Sequence, residues 1–449
     1  MSHAAGVQID FRRYYELLRD IRPIRVSGKV SQIIGLIVEG HGPGASIGEA
    51  CHIYPHGSDG IINAEVVGFK SGKILLMPLE SVRGIGPGCR IVSLGKKAEV
   101  KVGKGLLGRV IDGLGNPIDN RGPIEPDTEY PIYAEPINPL QRGRITEPMD
   151  LGVRVVNAVL TFGKGQRMGI FSGSGVGKSV LLGMMARHTK ADINVIGLIG
   201  ERGREVREFL EKDLGEEGLS RSVVVVATSD THPLIRMRAA YVATSLSEFF
   251  RDQGKDVLLM IDSLTRFAMA QREVGLSVGE PPTTKGYTPS VFSLLPRLLE
   301  RVGTLEGRGS ITGIYTVLVE GGDFDEPIAD AARSILDGHI CLTRELAVKN
   351  HYPAVDVLGS ISRVMRDVVD EEHVRKVNDI LNIVATYRKA EDLINIGAYV
   401  EGSNPEIDYA VKMIDRVNAF FRQDIAEKVG FAESRKAMYE LFKEDKGNG

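Results

Sequence analysis

The sequence predicts an α/β protein of three domains: a small N-terminal β-barrel, a core built on a parallel sheet, and a C-terminal α-helical domain. Short apolar runs separated by glycine turns fill residues 25–94, which is typical of a small barrel. Between residues 167 and 319, apolar runs alternate with helical stretches, which favours a parallel sheet covered on both faces. After about Arg366 the strand-like runs end. The helices predicted there are Glu371–Arg388, Ala390–Ile396, Pro405–Phe421 and Ala432–Phe442.

The chain is long enough for several domains. Its 449 residues are too many for one ordinary hydrophobic core, and 43% hydrophobic with 26% charged residues is ordinary for a globular protein. A net charge of −3 gives no global electrostatic argument for nucleic-acid binding. The expected domains are 1–24 (N-terminal docking segment), 25–95 (barrel), 96–366 (core) and 367–449 (helical domain).

Three observations favour a cytoplasmic protein. Cys51, Cys89 and Cys341 lack the C-x-x-C spacing of a metal or redox site, so we expect free thiols in a reducing compartment. No apolar run reaches the ~18 residues of a membrane span. The N-terminus lacks the basic-then-apolar order of a signal peptide.

The first element in chain order is a predicted helix over Phe11–Ile21. Phe11, Tyr14, Leu18 and Ile21 recur on one helical face, and Pro23 ends the run. Two interpretations stay open: a helix docked on its own domain, or a detachable helix that binds a partner or a membrane surface.

The barrel segment contains strand-like runs such as Ala64–Gly68 and Lys73–Met77. An oligonucleotide-binding barrel is one option, but only Tyr54 and Phe69 in this stretch could stack on bases. Prolines then crowd residues 123–148 and indicate an extended connector that leads to the rest of the core.

The core is organised around a predicted phosphate-binding loop over Ser172–Ser179. It follows the strand-like run Arg167–Phe171 and precedes the helical run Val180–Ala186, as the motif G-x-x-x-x-G-K-[ST] requires. Glycines let backbone N–H groups curl around phosphate oxygens. Lys178 can reach the β- and γ-phosphates, and the Ser179 hydroxyl can bind Mg²⁺. The expected nucleotide contacts in this loop are Gly173, Ser174, Gly175, Val176, Gly177, Lys178, Ser179 and Val180.

The loop departs from the consensus at one position. Ser172 stands where the consensus has its first glycine. We expect a small residue to suffice at this position if its φ angle is negative.

Two carboxylates follow buried strand-like runs of the core. Asp262 comes directly after Val257–Ile261 and is expected on the magnesium side of the site, with helix capping as the alternative role. Glu201 follows Asn194–Ile199 at a carboxyl-end loop, where parallel sheets bind their ligands. It is a candidate to orient or deprotonate a water molecule, with a solvated loop charge as the alternative.

Several of these segments resemble a known family. Gly200–Arg202, Asp256–Phe267 and Tyr352–Asp356 resemble the catalytic-subunit family of rotary ATP synthases. Other segments look like the flagellum-specific ATPases of the type III protein export apparatus, namely Arg251–Lys255, Gly279–Tyr287 and Asp356–Val364. The resemblance covers roughly residues 25–440.

The resemblance implies a RecA-like ATPase core that hydrolyses ATP with Mg²⁺ to energise or prime the export of flagellar proteins. It implies that Lys178 and Ser179 hold phosphate and Mg²⁺, and that Asp262 is the carboxylate beside Mg²⁺. By the same resemblance, Glu201 polarises the attacking water and Arg202 supports the site.

The resemblance also implies contacts at the edges of the site. Tyr352 would stack on adenine, a contact worth roughly 1–3 kcal/mol. Arg363 resembles an arginine finger that a neighbouring subunit donates, which implies a homohexameric ring closed by the barrels. The implied partners are a flagellar export regulator, stalk-like and export-gate proteins, and exported substrates with their chaperones. The implied location is peripheral, at the membrane-embedded flagellar base, without nucleic acid.

Four alternative functions make different demands on the sequence. A rotary ATP synthase subunit would be expected to carry a strongly acidic contact segment, whereas the C-terminal helices here have mixed charges. A non-flagellar injectisome ATPase shares nearly all of the motifs and stays open. A hexameric RNA translocase would need a basic, aromatic barrel. A binding-only ring subunit is disfavoured because Lys178 and Glu201 are both present.

Deleting residues 1–21 tests the two interpretations of the N-terminal helix. A detachable helix that binds a partner or a membrane surface adds little to the core. In that case the thermal midpoint should stay almost unchanged while partner binding or ring formation falls. Calorimetry measures the first quantity and light scattering the second. A large fall in the midpoint would instead show that the helix packs as part of the core.

Overall fold

The structure is a computed structural model that describes Phe11 and residues 26–57, 60–319, 323–324 and 326–443. Apart from Phe11, the helix predicted over Phe11–Ile21 lies outside the described residues. The chain divides into two compact units, Met1–Ala98 and Glu99–Gly449. Among the described helices, none is both long and apolar enough to cross a membrane.

The first unit is a small β-barrel, as the sequence predicts. Its strands are β1 Ser27–Ile34, β2 Ile37–His41, β3 Glu49–Tyr54, β4 Ile62–Lys70, β5 Lys73–Pro78 and β6 Arg90–Lys97. They close in the order β1-β2-β5-β4-β3-β6, and every neighbouring pair is antiparallel. Val30, Val38, Ile53, Leu76 and Ile91 are buried in its interior, which gives this unit its own hydrophobic core.

The second unit contains the remaining strands. They are β7 Glu99–Val102, β8 Val110–Asp112, β9 Thr128–Pro131, β10 Pro148–Met149, β11 Phe162–Gly163, β12 Arg167–Ser172, β13 Ile193–Ile199, β14 Ser222–Ala227, β15 Asp256–Asp262, β16 Ser310–Leu318, β17 Gly338–Leu342 and β18 Val355–Ser362. Eight of them form one sheet in the order β18-β17-β12-β16-β15-β13-β14-β8. All neighbours in this sheet are parallel except β17 and β18.

The central strands have the composition that a doubly covered sheet requires. Every residue of β13 and β14 is buried, and β15 is buried from Val257 onwards. Apolar side chains on both faces of a strand are stable only when helices cover both faces. The predicted parallel core is therefore confirmed, whereas β17 and β18 were not predicted as strands.

Helices surround the sheet and complete the second unit. They are α1 Arg154–Val159, α2 Lys178–His188, α3 Gly203–Glu208, α4 Gly215–Ser220, α5 Pro233–Asp252, α6 Leu264–Val278, α7 Pro289–Leu299, α8 Pro327–Ile335, α9 Arg344–Val348, α10 Met365–Val368, α11 Glu371–Asn395, α12 Pro405–Phe421 and α13 Phe431–Glu440. A π-helical turn over Phe209–Leu214 joins α3 to α4. Helix α5 packs on β13, β14 and β15, and α8 packs on β12 and β16.

The C-terminal region is helical, as predicted, but one predicted boundary is wrong. The segments expected as two helices, Glu371–Arg388 and Ala390–Ile396, form the single helix α11. Lys389 joins them because lysine is a good helix former, and neither segment contains a glycine or proline that would break the helix. Helix α12 packs against α11, with Asn404 capping its first turn and Pro405 at its first position.

Candidate active site

The phosphate-binding loop joins β12 to α2. Gly175 and Gly177 have φ angles of 78° and 87°, in the left-handed region that glycine adopts without steric cost. A Cβ atom on Gly175 would meet nothing within 4 Å, so the backbone conformation, not crowding, favours glycine there. The first turn of α2 contains no acidic residue and no side-chain cap. The loop therefore presents backbone N–H groups and a helix N-terminus to a bound anion.

Ser172 fits the position where the consensus has glycine. It is the last residue of β12, pairs with Leu318 of β16 and Leu342 of β17, and has a negative φ angle. The expected condition for a small residue at this position is therefore met. Ser172 is 2% exposed, and its hydroxyl has no hydrogen-bond partner among the residues that the structure describes.

Lys178, Asp262 and Glu201 meet behind the loop. The Lys178 ammonium group donates a hydrogen bond to Asp262 Oδ1 and lies 3.7 Å from Glu201 Oε1. Thr316 Oγ1, from β16, also donates to Asp262 Oδ1 at 2.7 Å and fixes the carboxylate. Side-chain exposures of 12% for Lys178, 17% for Glu201 and 5% for Asp262 make this a largely desolvated cluster.

The sheet register brings the two carboxylates together. Parallel pairing of β13 with β15 places Leu198 opposite Asp262, and Glu201 follows three residues after Leu198. The Gly200 amide donates to the Ala227 carbonyl at 2.6 Å, and the Glu201 carbonyl accepts from the Ser229 amide at 3.0 Å. These bonds hold the loop after β13 against the end of β14, so Glu201 stays at the carboxyl edge of the sheet.

The carboxyl group of Glu201 has a pKa that suits proton transfer near neutral pH. Burial, followed by the negative charge of Asp262, raises the pKa of its carboxyl to about 7, although the positive charge of Lys178 partly opposes both effects. The pKa of Glu205 is lowered, chiefly by a hydrogen bond with Glu201. A carboxylate with a pKa near the working pH suits a general base. Glu205 was not singled out from the sequence, although it stands in the same charged segment.

Arg202 and Arg363 do not join this cluster within one chain. The Arg202 side chain is 77% exposed, and its guanidinium lies 3.5 Å from Glu205 Oε1. Arg363 directly follows β18, the edge strand of the sheet, and donates to the carbonyls of Leu336 and Arg333 at 3.4 Å. In the described parts of the chain neither guanidinium bonds to Lys178 or its two carboxylates.

Tyr352 lies beside the phosphate-binding loop. A Cβ atom on Gly177 would come 3.4–3.5 Å from carbons of the Tyr352 ring, so the ring lies close beside the loop. The ring is partly exposed and available to a planar ligand. The Tyr352 carbonyl accepts a hydrogen bond from the amide of Gln423, a residue that no sequence signal distinguished.

The donors at this site suit a magnesium ion. The Asp262 carboxylate and the exposed Ser179 hydroxyl are hard oxygen ligands, the kind that Mg²⁺ prefers. The described residues contain no group of three or more His, Cys, Asp or Glu side chains that could form a full metal cage. Mg²⁺ usually binds through one or two protein ligands, water and phosphate oxygens, so the residues fit this ion.

The fold and the cluster define a nucleotide hydrolase of the phosphate-loop class. Models of three domains match the chain: the nucleotide-binding domain of the ATP synthase alpha/beta family at residues 152–362, the β-barrel domain of that family at 30–95, and the type III secretion EscN ATPase C-terminal domain at 369–440. The chain belongs to the ATP synthase alpha/beta family and is an ATP hydrolase.

Relatives extend over nearly the whole chain. It is 55% identical over 417 residues to the flagellum-specific ATP synthase of Bacillus subtilis (strain 168), covering 92% of this chain and 94% of that one. It is 50% identical over 396 residues to the type 3 secretion system ATPase of Xanthomonas euvesicatoria, covering 88% and 89%. The assembled ATPase EscN of the enteropathogenic E. coli type III secretion system is similar with a TM-score of 0.87 and 47% identity, covering 92% of this chain and 99% of that chain.

The raised pKa of Glu201 predicts how stability depends on pH in the nucleotide-free protein. The unfolded chain loses this proton near pH 4.5 and the folded chain near pH 7, so stability falls as pH rises through that window. Glu201→Gln removes the cost of the buried charge. We expect a higher thermal midpoint than wild type at pH 8, and a gain that shrinks towards zero near about pH 5.

Glu205→Gln is the matched control because its pKa shift has the opposite sign. A lowered pKa stabilises the fold above the ordinary pKa, and this stability is lost as pH falls. This variant should therefore lower the midpoint at neutral pH, by a modest amount because the side chain is 38% exposed. A gain from Glu201→Gln that is equal at pH 5 and pH 8 would contradict the assignment.

Proposed function

We propose that the chain hydrolyses ATP to energise or prime the export of flagellar proteins through a type III secretion apparatus. The chemistry is supported by one observation in particular: the phosphate-loop lysine lies between two largely buried carboxylates at the carboxyl edge of the sheet. The system is supported by 55% identity to a flagellum-specific ATP synthase over 92% of this chain. Further relatives with this name include that of Salmonella typhimurium, 48% identical over 433 residues.

Each residue of the cluster has a chemical task in this proposal. The loop amides and Lys178 bind the β- and γ-phosphates, and Lys178 exchanges its carboxylate partners for phosphate oxygens. Ser179 and Asp262 would hold Mg²⁺, which neutralises phosphate charge when it is bound. Glu201, in its ionised form, orients the attacking water and accepts its proton.

We further propose that Arg363 acts on the nucleotide of a neighbouring subunit in a homohexameric ring. Its position after the edge strand β18, away from the Lys178 cluster of its own chain, supports action across an interface. A cationic finger is useful only where phosphate charge develops. In the same ring the barrels would close the assembly, and Arg202, which is exposed here, would support the site from the interface.

Partners and location are proposed from the relatives. A solved structure shows EscN in complex with its central stalk EscO, and that EscN chain is 46% identical with a TM-score of 0.85. We expect a stalk-like partner here, together with an export regulator, export-gate proteins, exported substrates and their chaperones. The proposed location is the cytoplasmic side of the flagellar base, with peripheral membrane contact. The proposed domains remain 1–24, 25–95, 96–366 and 367–449.

An injectisome ATPase is the second candidate function, because the Xanthomonas relative with 50% identity has that name. Complementation separates the two. In a flagellar-ATPase deletion strain the wild-type chain should restore swimming and secretion of flagellar proteins. In an injectisome-ATPase deletion strain it should not restore effector secretion. The reverse pattern would overturn the flagellar assignment, and Glu201→Gln serves as the inactive control in both strains.

Glu201→Gln and Lys178→Ala should fail in different ways. The amide keeps the shape of Glu201 but cannot accept a proton, so turnover should fall by about 10²-fold or more with nucleotide affinity nearly unchanged. Lys178→Ala removes the charge that faces the phosphates and should weaken binding itself. Steady-state hydrolysis and fluorescent-nucleotide titration measure the two effects. An equal loss of ATP binding in Glu201→Gln would make that residue structural.

Action of Arg363 across an interface predicts that activity depends on protein concentration. Activity per chain should rise steeply as rings form, because an arginine finger is worth roughly 10³–10⁵ in turnover. Arg363→Ala should remove the rise while ATP still binds. Mixing Arg363→Ala with Lys178→Ala chains should partly restore hydrolysis, since some interfaces pair an intact loop with an intact finger. A mixture that co-assembles but stays inactive would rule out action in trans.

A further inference from the structure

Gln423 connects the C-terminal helices to Tyr352, the residue whose ring lies beside the phosphate loop. It lies two residues after the end of α12, and it is 6% exposed. Its backbone amide donates to the Tyr352 carbonyl at 3.0 Å. The adjoining rings of His351 and Phe421 also meet, with centroids 6.3 Å apart. The segment that carries Tyr352 is thus attached to the end of α12 by a backbone bond and a ring contact.

The side chain of Gln423 is anchored in the core. Its Oε1 accepts a hydrogen bond from the Arg154 amide at 2.6 Å, and its Nε2 donates to the carbonyls of Gly152 at 2.9 Å and Glu427 at 2.8 Å. The partners fix the orientation of the side-chain amide, because only the oxygen can face an N–H donor and only the nitrogen can face carbonyls. Both N–H donors are used, so the side chain is held on three sides.

Gly152, one of the residues that bind the Gln423 side chain, lies against α2, the helix that follows the phosphate loop. Gly152 has a φ angle of 70°, and a Cβ atom there would come 2.2 Å from the His188 Cβ at the end of α2. The segment that follows Gln423 also contacts α2, because Arg187 Nη2 donates to the Ile425 carbonyl at 3.0 Å. Residues 423–427 therefore touch the Tyr352 segment on one side and the C-terminal end of α2 on the other.

We propose that Gln423 is a positioning residue that sets the place of the Tyr352 ring over the phosphate loop and so controls affinity for the adenine base. The inference rests on the proposed function, in which Tyr352 stacks on adenine. A shift of α12 would move Gln423 and, through its amide, the Tyr352 carbonyl. Nucleotide affinity would therefore change with the position of the C-terminal helices.

Gln423→Glu is the first test. It keeps the size of the side chain and the acceptor for the Arg154 amide, but it loses both donors and turns an oxygen towards the Gly152 and Glu427 carbonyls. Base stacking persists from ground state to transition state, so KM for ATP should rise by about 3- to 30-fold with kcat within about twofold. Gln423→Met, which removes all the side-chain bonds at similar volume, is the second variant if Gln423→Glu does not fold.

Asn157→Ala is the matched control for packing alone. Asn157 is fully buried and, like Gln423, bonds the core to the C-terminal segment, donating to the Val429 carbonyl at 3.1 Å, but it does not bond to Tyr352. We expect a fall in thermal midpoint at least as large as that of Gln423→Glu, with KM for ATP unchanged. A rise in KM equal to that of Gln423→Glu would show a general packing effect and overturn the inference.

A double-mutant cycle with Tyr352→Ala separates this inference from the function on which it rests. If Gln423 acts through Tyr352, Gln423→Glu should raise KM in the wild-type background and have no further effect in Tyr352→Ala. Equal effects in both backgrounds would overturn the positioning role while leaving the stacking role intact. If Tyr352→Ala alone leaves KM unchanged, the stacking role falls, and the inference falls with it.

Discussion

The Lys178 ammonium group lies between two largely buried carboxylates, those of Asp262 and Glu201, and the rest of the site depends on this arrangement. Two carboxylates so close together would repel each other strongly in a desolvated setting without a cation. The lysine offsets that repulsion, and the pKa of Glu201 nevertheless stays raised to about 7. A phosphate group would attract the same ammonium group, so the cation that binds the nucleotide is already in place before the nucleotide arrives.

The sheet creates this arrangement more than any local motif does. Parallel strands all present their carboxyl ends at one edge, and β12, β13 and β15 deliver the loop, Glu201 and Asp262 to that edge. Thr316, from the intervening strand β16, fixes the Asp262 carboxylate. The glycines of the loop then allow the chain to turn into α2, whose N-terminus adds a favourable field for anions. The C-terminal helices contribute from outside the sheet through Gln423 and Tyr352.

The sequence was informative where function follows from local order along the chain. The phosphate loop could be predicted because strand, glycines, Lys178 and helix are contiguous, and Asp262 because it ends an apolar strand. Glu201 could be named but not distinguished from a solvated loop charge, since its burial depends on the pairing of β13 with β15. Strand β17 was missed because Gly338–Leu342 is short and contains a glycine and a histidine.

Other residues of the site cannot be identified from patterns in the sequence. Tyr352 and Arg363 were named only through a family resemblance, and their roles stay predictions. The bond from Gln423 to Tyr352 joins residues 71 positions apart, and an isolated glutamine after a helix has no distinguishing pattern. Such contacts depend on how α12 packs, which periodicity does not determine.

An experimental structure of the assembled protein with a non-hydrolysable ATP analogue and Mg²⁺ would test the central claim most directly. The account predicts that the Lys178 ammonium leaves Asp262 and lies at hydrogen-bond distance, about 3 Å, from a β- or γ-phosphate oxygen. Asp262 should then face the Mg²⁺ side, and Glu201 should face a water in line with the γ-phosphate. A structure in which the analogue is bound while Lys178 keeps its bond to Asp262 would contradict the account.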